Sequence, residues 1–398
     1  MTGSNRFEAL DSWRGVCALL VATMHLCTQF HYSALSDLAI VSNFYLLVDF
    51  FFVLSGFVIA HAYHDHLANG GSFLRFVIRR VGRLWPLHVA MFLVMFLLET
   101  TKALASIDTQ SPAFGPGWEP ASVAANFFLL HALGVLPFPN INGPSWTISA
   151  ELWTNILFAV IVMRVGRHAP AVLGGLAVVS VIVLIAFTDG HFLDATTDFG
   201  LFRCIYGFTV GFFLYRLWRS RAAKPQSAGL EWPALFLAGA FMWLSDWKPL
   251  TMLAPFVFGF VIYAFARQSG ALSRLMTGGA MGCIGLWSYS IYLVHWPLFV
   301  FLSRFMGFVD ATTGADVKAD YMIDGESISL VSFSSISIQV LTVLVPLLLL
   351  IPLSSVSYKL IESPGRTWFN RWASGEIGFK QAFRSRAKAA DSKARRIR

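Results

Sequence analysis

Apolar blocks of about twenty residues alternate with short polar stretches along nearly the whole chain. At 1.5 Å per residue, about twenty helical positions cross a hydrocarbon core about 30 Å thick. The pattern predicts ten membrane-crossing helices, over residues 12–31, 43–62, 84–104, 145–164, 170–187, 198–218, 233–247, 250–266, 280–303 and 335–358. The stretch 120–136, PASVAANFFLLHALGVL, is apolar but short and contains His131. It reads as a half-helix or re-entrant segment rather than a span. No polar stretch is long enough for a soluble domain. The expected fold class is therefore all-α: a polytopic membrane helix bundle over 1–370, followed by a basic tail, 371–398, read as a disordered cytoplasmic arm near anionic headgroups.

Loop charge orients these helices. Arg75, Arg79, Arg80 and Arg83 fall between the second and third spans, and Arg164 and Arg167 follow the fourth. Arg216, Arg219, Arg221 and Lys224 follow the sixth, and Arg267 and Arg274 the eighth. The alternate loops, such as TDGHFLDATTD, are neutral or acidic. The positive-inside rule then puts both termini in the cytoplasm, consistent with an even span count. The same bias explains the net charge of +8, so no nucleic-acid partner is needed.

Of the 398 residues, 56% are hydrophobic and 13% charged, against about 25% charged in a soluble domain. The first apolar block lacks a small-residue cleavage motif and is kept as a span. Cys17, Cys27, Cys204 and Cys283 form no CxxC pair and read as small apolar filler. HAYHDH, with His61, His64, Asp65 and His66, lacks a firm ligand spacing and reads as a solvated loop, so no metal is expected.

Ionisable groups inside the apolar blocks carry the chemistry, because burying them in lipid is costly. His25, Asp49, Glu151 and His295 lie on four different spans, near one level in the outer half of the membrane, each depth good to about 5 Å. One internal cavity would explain that common level. Asp49 also suits an ion pair that fixes helix packing, with Arg203 as a partner for it or for Glu151. Glu151 shares a helix face with Thr147, Thr154 and Asn155, a stripe that also suits interhelical hydrogen bonding.

A buried, neutral His25 has a lone pair for general-base work, and Glu151 or Asp49 would fix its tautomer. Eleven residues turn a helix to within about 20° of three full turns. Arg14 and His25 therefore share a face, about 16 Å apart along the axis, a distance comparable to a pantetheine arm. Arg75, Arg79 and Arg83 recur every four residues with Arg80 beside them, a basic face suited to phosphates, although ordinary membrane anchoring uses the same residues. YSIYLVHWP sets Ser288, Tyr292 and His295 on one helix face. Trp146, Asn155, Tyr292 and His295 are the candidate substrate contacts.

Several stretches together resemble membrane acyltransferase family 3: LDSWRGVCALLVATMH with its R-x10-H spacing, DFFFVLSGFVIA, RRVGRLWPLH, GPSWTISAELW, YSIYLVHWPLF and IESPG. They occur in family order up to about residue 370. The resemblance implies a ten-span, multi-pass protein of the bacterial inner membrane. It implies transfer of an acyl group, often acetyl, from a cytoplasmic acyl-CoA to a hydroxyl of a carbohydrate or glycoconjugate facing outward, with acyl-CoA as co-substrate and no tightly bound cofactor. Arg14 and His25 match the family's first-span pair, Arg80 and Arg83 its cytoplasmic arginine motif, and Glu151 its fourth-span acid. ISAELW departs from the usual two successive acids, which leaves the second acidic role open. The chain's basic end implies no fused esterase-like domain. A transporter or flippase using His25, Glu151 and His295 as a proton relay is the alternative, disfavoured because the sequence shows no internal repeat. An assembly subunit without chemistry is a third.

Overall fold

The computed structural model describes residues 7–30, 38–104, 112–134, 141–221, 228–315, 317–323, 326–333 and 335–377. Each of the ten apolar stretches is helical. In chain order the helices are α1 (Glu8–Gln29), α2 (Leu47–Ala68), α3 (Phe73–Leu104), α4 (Pro120–Phe127), α5 (Trp146–Val165), α6 (Ala169–Ala186) and α7 (Gly200–Ser220). They continue with α8 (Glu231–Leu244), α9 (Ala254–Phe265), α10 (Ala271–Met276), α11 (Gly279–Leu286), α12 (Ser288–Thr313), α13 (Ile336–Ser357) and α14 (Ser363–Ser374). A short helical turn, Ala39–Ser42, and a 3-10 turn, Asn43–Leu46, lead into α2. A π-turn, Tyr358–Glu362, joins α13 to α14.

Among the described residues, six helical stretches are long and apolar enough to cross a membrane: Ala39–Ala68, Phe73–Leu104, Gly143–Ala186, Lys248–Phe265, Ser288–Thr313 and Ser337–Ser374. Outward-facing residues on α6 (Val178, Val179, Ile182), α3 (Leu93, Leu97) and α13 (Leu341, Leu348) are exposed. Such apolar belts are stable against lipid and not against water. The molecule is a multi-pass integral membrane protein. α1 and α7 fall outside the six; α1 carries Arg14, and α7 carries Arg203, Arg216 and Arg219.

The tightest crossing joins α2 to α7. A Cβ on Gly56 would lie 2.0 Å from the Phe208 carbonyl oxygen, and one on Gly211 would lie 1.9 Å from that of Val53. Each helix thus opens a glycine to the other's backbone, the close approach that small residues permit between membrane helices.

Three features depart from the sequence expectation. α3 begins at Phe73, not near residue 84, so Arg75, Arg79, Arg80 and Arg83 lie on helix rather than in a loop, and Pro86 lies inside it. A helix need not stop where the lipid does, and loop charge cannot reveal the difference. The ninth stretch is two helices, α11 and α12, that meet at Trp287. The acidic loop before α13 contains an antiparallel hairpin, β1 (Lys318–Ile323) with β2 (Glu326–Val331). The expected half-helix is α4, only eight residues long; residues 135–136 lie outside the described residues. α14 runs through the expected tail boundary at 370/371, and 378–398 lie outside the described residues.

Candidate active site

A cavity of approximately 410 Å³ opens among α1, α2, α3, α5, α11, α12 and α14. Four guanidinium groups line it, from Arg14, Arg80, Arg83 and Arg366, against two carboxylates, from Asp11 and Glu151. The positive excess sits at the end of the bundle where α1, α3 and α14 begin. Arg14 reaches Asp11 at 3.5 Å, Arg80 lies over the Tyr63 ring at 5.3 Å, and Arg83 over the Tyr289 ring at 6.0 Å. Arg80 Nε and the Ser288 hydroxyl are buried without a hydrogen-bond partner. Unsatisfied donors are costly in a bundle interior, and here both belong to residues on the wall of a space a ligand can enter.

On the α5 side Glu151 accepts a hydrogen bond from Ser55 of α2 at 2.8 Å. Thr147 donates to the Pro144 carbonyl at 2.9 Å, so its oxygen accepts from the Tyr292 hydroxyl at 3.2 Å. Tyr292 packs edge-on against Phe51, with ring centroids 5.5 Å apart, and the two close the cavity's inner wall.

Behind Tyr292 stands a histidine pair. The Tyr292 and His295 rings lie 5.8 Å apart, and His25 Nδ1 lies 3.0 Å from His295 Nε2, with ring planes within 11°. His295 is fully buried, whereas His25 is half-buried beside the edge of Trp296. Pro297 cannot donate to the Leu293 carbonyl one turn back. Asn142 does so instead at 3.3 Å, which ties the loop before α5 to α12 at the level of this pair.

The sequence candidates therefore fall into groups. Arg14, Arg80, Arg83, Glu151 and Tyr292 share the cavity wall, and His25 and His295 pair behind Tyr292. Arg79, Asn155 and Trp146 are not on that wall. Asn155 is buried with both amide atoms unpaired, and Trp146 packs against Phe52. Asp49 is fully buried and bidentate to Arg203, at 2.7 and 3.1 Å. Neither Asp49 nor Glu151 is the partner of His25 Nδ1, the place a tautomer-fixing carboxylate was expected to take; His295 is there. Asp65 of HAYHDH pairs with Arg219 at 2.7 Å. Among the described residues no group of three or more His, Cys, Asp or Glu is arranged to hold a metal.

Sequence reasoning missed Ser55, Arg366 and Glu362. The buried Glu362 accepts from Ser290 at 2.8 Å and lies 3.6 Å from Arg83. It reaches them because α14 crosses α3 closely: a Cβ on Gly82 would lie 2.1 Å from that of Phe369. The motif IESPG marked this segment, but nothing local tied it to Arg83.

Residues 7–362 match the acyltransferase domain of family 3. The chain belongs to the acyltransferase 3 family. As an acyltransferase it resembles acyltransferase MdmB of Streptomyces mycarofaciens, 25% identical over 337 residues that cover 76% of this chain and 81% of that protein. It also resembles protein 2 in the picA locus of Rhizobium radiobacter, 34% identical over 167 residues, or 39% of this chain and 81% of that protein. No solved structure matches.

Proposed function

We propose that this acyltransferase moves a short acyl group, acetyl first among them, from cytoplasmic acyl-CoA to a hydroxyl of a carbohydrate or glycoconjugate on the outer side of the bacterial inner membrane. The observation that carries the reading is the placement of an arginine-lined cavity at one end of α1 and a histidine pair near its other end, with Tyr292 of the cavity wall between them. Arg14, Arg80, Arg83 and Arg366 offer the planar, forked donors that suit phosphate oxygens. The pantetheine arm then runs along α1 past Ser55 and Glu151 toward Tyr292. The crowding of Phe51 and Phe52 on the cavity wall favours a small acyl group.

At the far end His25 accepts the proton of the acceptor hydroxyl as the new C–O bond forms and the thioester C–S bond breaks. The coenzyme A thiolate leaves and takes that proton from His25, so no charge is left behind. Glu151 lies on the donor path, and its negative charge favours the cation that His25 becomes when it takes the proton. Asp49, held by Arg203, secures α2 to α7 in this reading. All ten helical stretches cross the membrane in this reading, with both termini in the cytoplasm, the arrangement that the charge bias favours.

Purified protein incubated with labelled acyl-CoA and candidate glycans is expected to release coenzyme A and label the glycan. Release without a labelled glycan would remove the acceptor assignment, and no release would remove the donor. For topology, a cysteine at Ala315 should react with an impermeant reagent added outside, and one at Ser220 should not. The reverse order would overturn the ten-span arrangement.

A further inference from the structure

Two hydrogen bonds determine which nitrogen of His25 is free. His295 Nδ1 lies 3.3 Å from the Ile291 carbonyl oxygen, one turn back on α12. A carbonyl oxygen can only accept, so Nδ1 of His295 carries the proton. His295 is fully buried in the bundle, where a neutral ring is the form the surroundings tolerate. A neutral imidazole with its proton on Nδ1 has a bare lone pair on Nε2. That Nε2 lies 3.0 Å from His25 Nδ1. Two lone pairs cannot face each other at this distance, so His25 donates through Nδ1–H and its own Nε2 is left unprotonated.

We infer that His295 is a positioning residue: it holds His25 in the Nδ1–H tautomer and makes Nε2 the nitrogen that accepts the hydroxyl proton. The inference rests on the acyl-transfer reading for the use of that nitrogen, though not for the tautomer itself. The arrangement does for His25 what a carboxylate does in a catalytic triad, with a neutral ring backed by a main-chain carbonyl as the orienting group. When Nε2 of His25 takes a proton, the ring becomes a cation and its Nδ1–H bond to His295 becomes charge-assisted, hence stronger. The near-coplanar rings keep that bond straight, and Asn142 on the Leu293 carbonyl steadies α12 where Pro297 interrupts its ladder. No formal charge is buried until the reaction makes one. A carboxylate in the same place would need a permanent partner in lipid.

The full chain, carrying ¹⁵N-histidine and reconstituted in bilayers, gives the test. Comparison with His25→Gln assigns the His25 signals. In the wild type His25 is expected to be neutral, protonated at Nδ1 and bare at Nε2. In His295→Phe a substantial share of His25 should move to the Nε2–H form. A wild-type His25 protonated at Nε2 overturns the inference. In kinetics, His295→Phe is expected to lower kcat about 100-fold with donor KM within twofold. His295→Gln, whose side-chain oxygen can accept from Nδ1–H, should recover to within about tenfold of wild type. Equal loss in the Phe and Gln variants, or loss confined to KM, rejects the positioning role. If the tautomer is as stated but His25→Ala still turns over, the general-base reading fails while the tautomer assignment stands.

Discussion

Two buried polar clusters in this bundle look alike in composition and differ in how far they are satisfied. At the α2–α7 crossing, Arg203 gives Nε and Nη2 to Asp49, Nη2 also to the Tyr45 carbonyl and Nη1 to the Ala195 carbonyl. Its face is stacked near Tyr45 and Trp146. Around the cavity, Arg80 and Ser288 keep buried donors with nothing to bind, and Glu362 lies 3.6 Å from Arg83, too far for a good hydrogen bond. A closed network holds helices together. An open one holds capacity for a ligand. On that difference the Asp49–Arg203 pair reads as structural and the cavity as the candidate site, although both hold ionised groups inside a membrane bundle and both stand out equally in the sequence.

His25 is where the comparison is most exposed to failure. Its half-buried ring adds little to packing, so His25→Ala should lower turnover by about 10²–10⁴-fold, the usual range for a lost general base, with expression and membrane insertion unchanged. Near-normal turnover in that variant, measured with purified enzyme, would leave the open cluster without chemistry.

The closed cluster should behave in the opposite way. Arg203→Ala strands the Asp49 carboxylate in an apolar interior and should destabilise the fold by about 3–5 kcal/mol. Replacing both partners, as in Asp49→Leu with Arg203→Met, should restore much of the loss, because no unpaired charge is left; only the Tyr45 and Ala195 carbonyls still lack their donor. Thermal unfolding in detergent reads both variants. A double variant that folds well but lacks activity would move Asp49 back among the catalytic candidates.

Residue spacing made much of this legible. The apolar blocks located the helices, and the eleven-residue interval put Arg14 and His25 on one face of α1. Arg203 was recognisable as a counter-ion, but not whose. What stayed hidden was pairing across the fold: Arg83 with Glu362 and His25 with His295 join residues more than 250 positions apart. The hairpin did have a signal, an Asp-Gly dipeptide between alternating runs at 318–331. Its acidic character drew attention to topology instead. The continuous α3 was obscured because arginines that favour the cytoplasm are also good helix formers.

Within the open cluster, donor binding and chemistry should separate. A charge-assisted phosphate contact contributes roughly 1.5–3 kcal/mol, so Arg80→Ala or Arg83→Ala should raise donor KM by about 10- to 150-fold with kcat nearly unchanged. Glu151→Gln keeps an acceptor for Ser55 but removes the charge that favours protonated His25, and should lower kcat while donor KM does not rise. Saturation kinetics on the three variants decide the matter. A collapse of kcat in the arginine variants at unchanged KM would mean that they hold reaction geometry rather than phosphates.

Glu362 offers the finest test, because two effects of opposite sign act on it. Glu362→Gln preserves the shape and a carbonyl oxygen for Ser290, and removes one negative charge beside Arg83. At an effective dielectric of about 20, one charge about 8 Å from a phosphate is worth roughly 2 kcal/mol. Removing it should therefore tighten donor binding. Against this, Arg83 loses a partner that is only 3.6 Å away and not hydrogen-bonded to it, while the Tyr289 ring still supports its guanidinium. Freer motion of Arg83 and screening by salt offset most of the gain. The expected result is a two- to fivefold fall in donor KM with kcat unchanged, shrinking as salt is raised. A rise in KM instead would mean that Glu362 fixes Arg83 in its binding geometry, so that this carboxylate belongs with the closed network at Asp49 rather than with the open one.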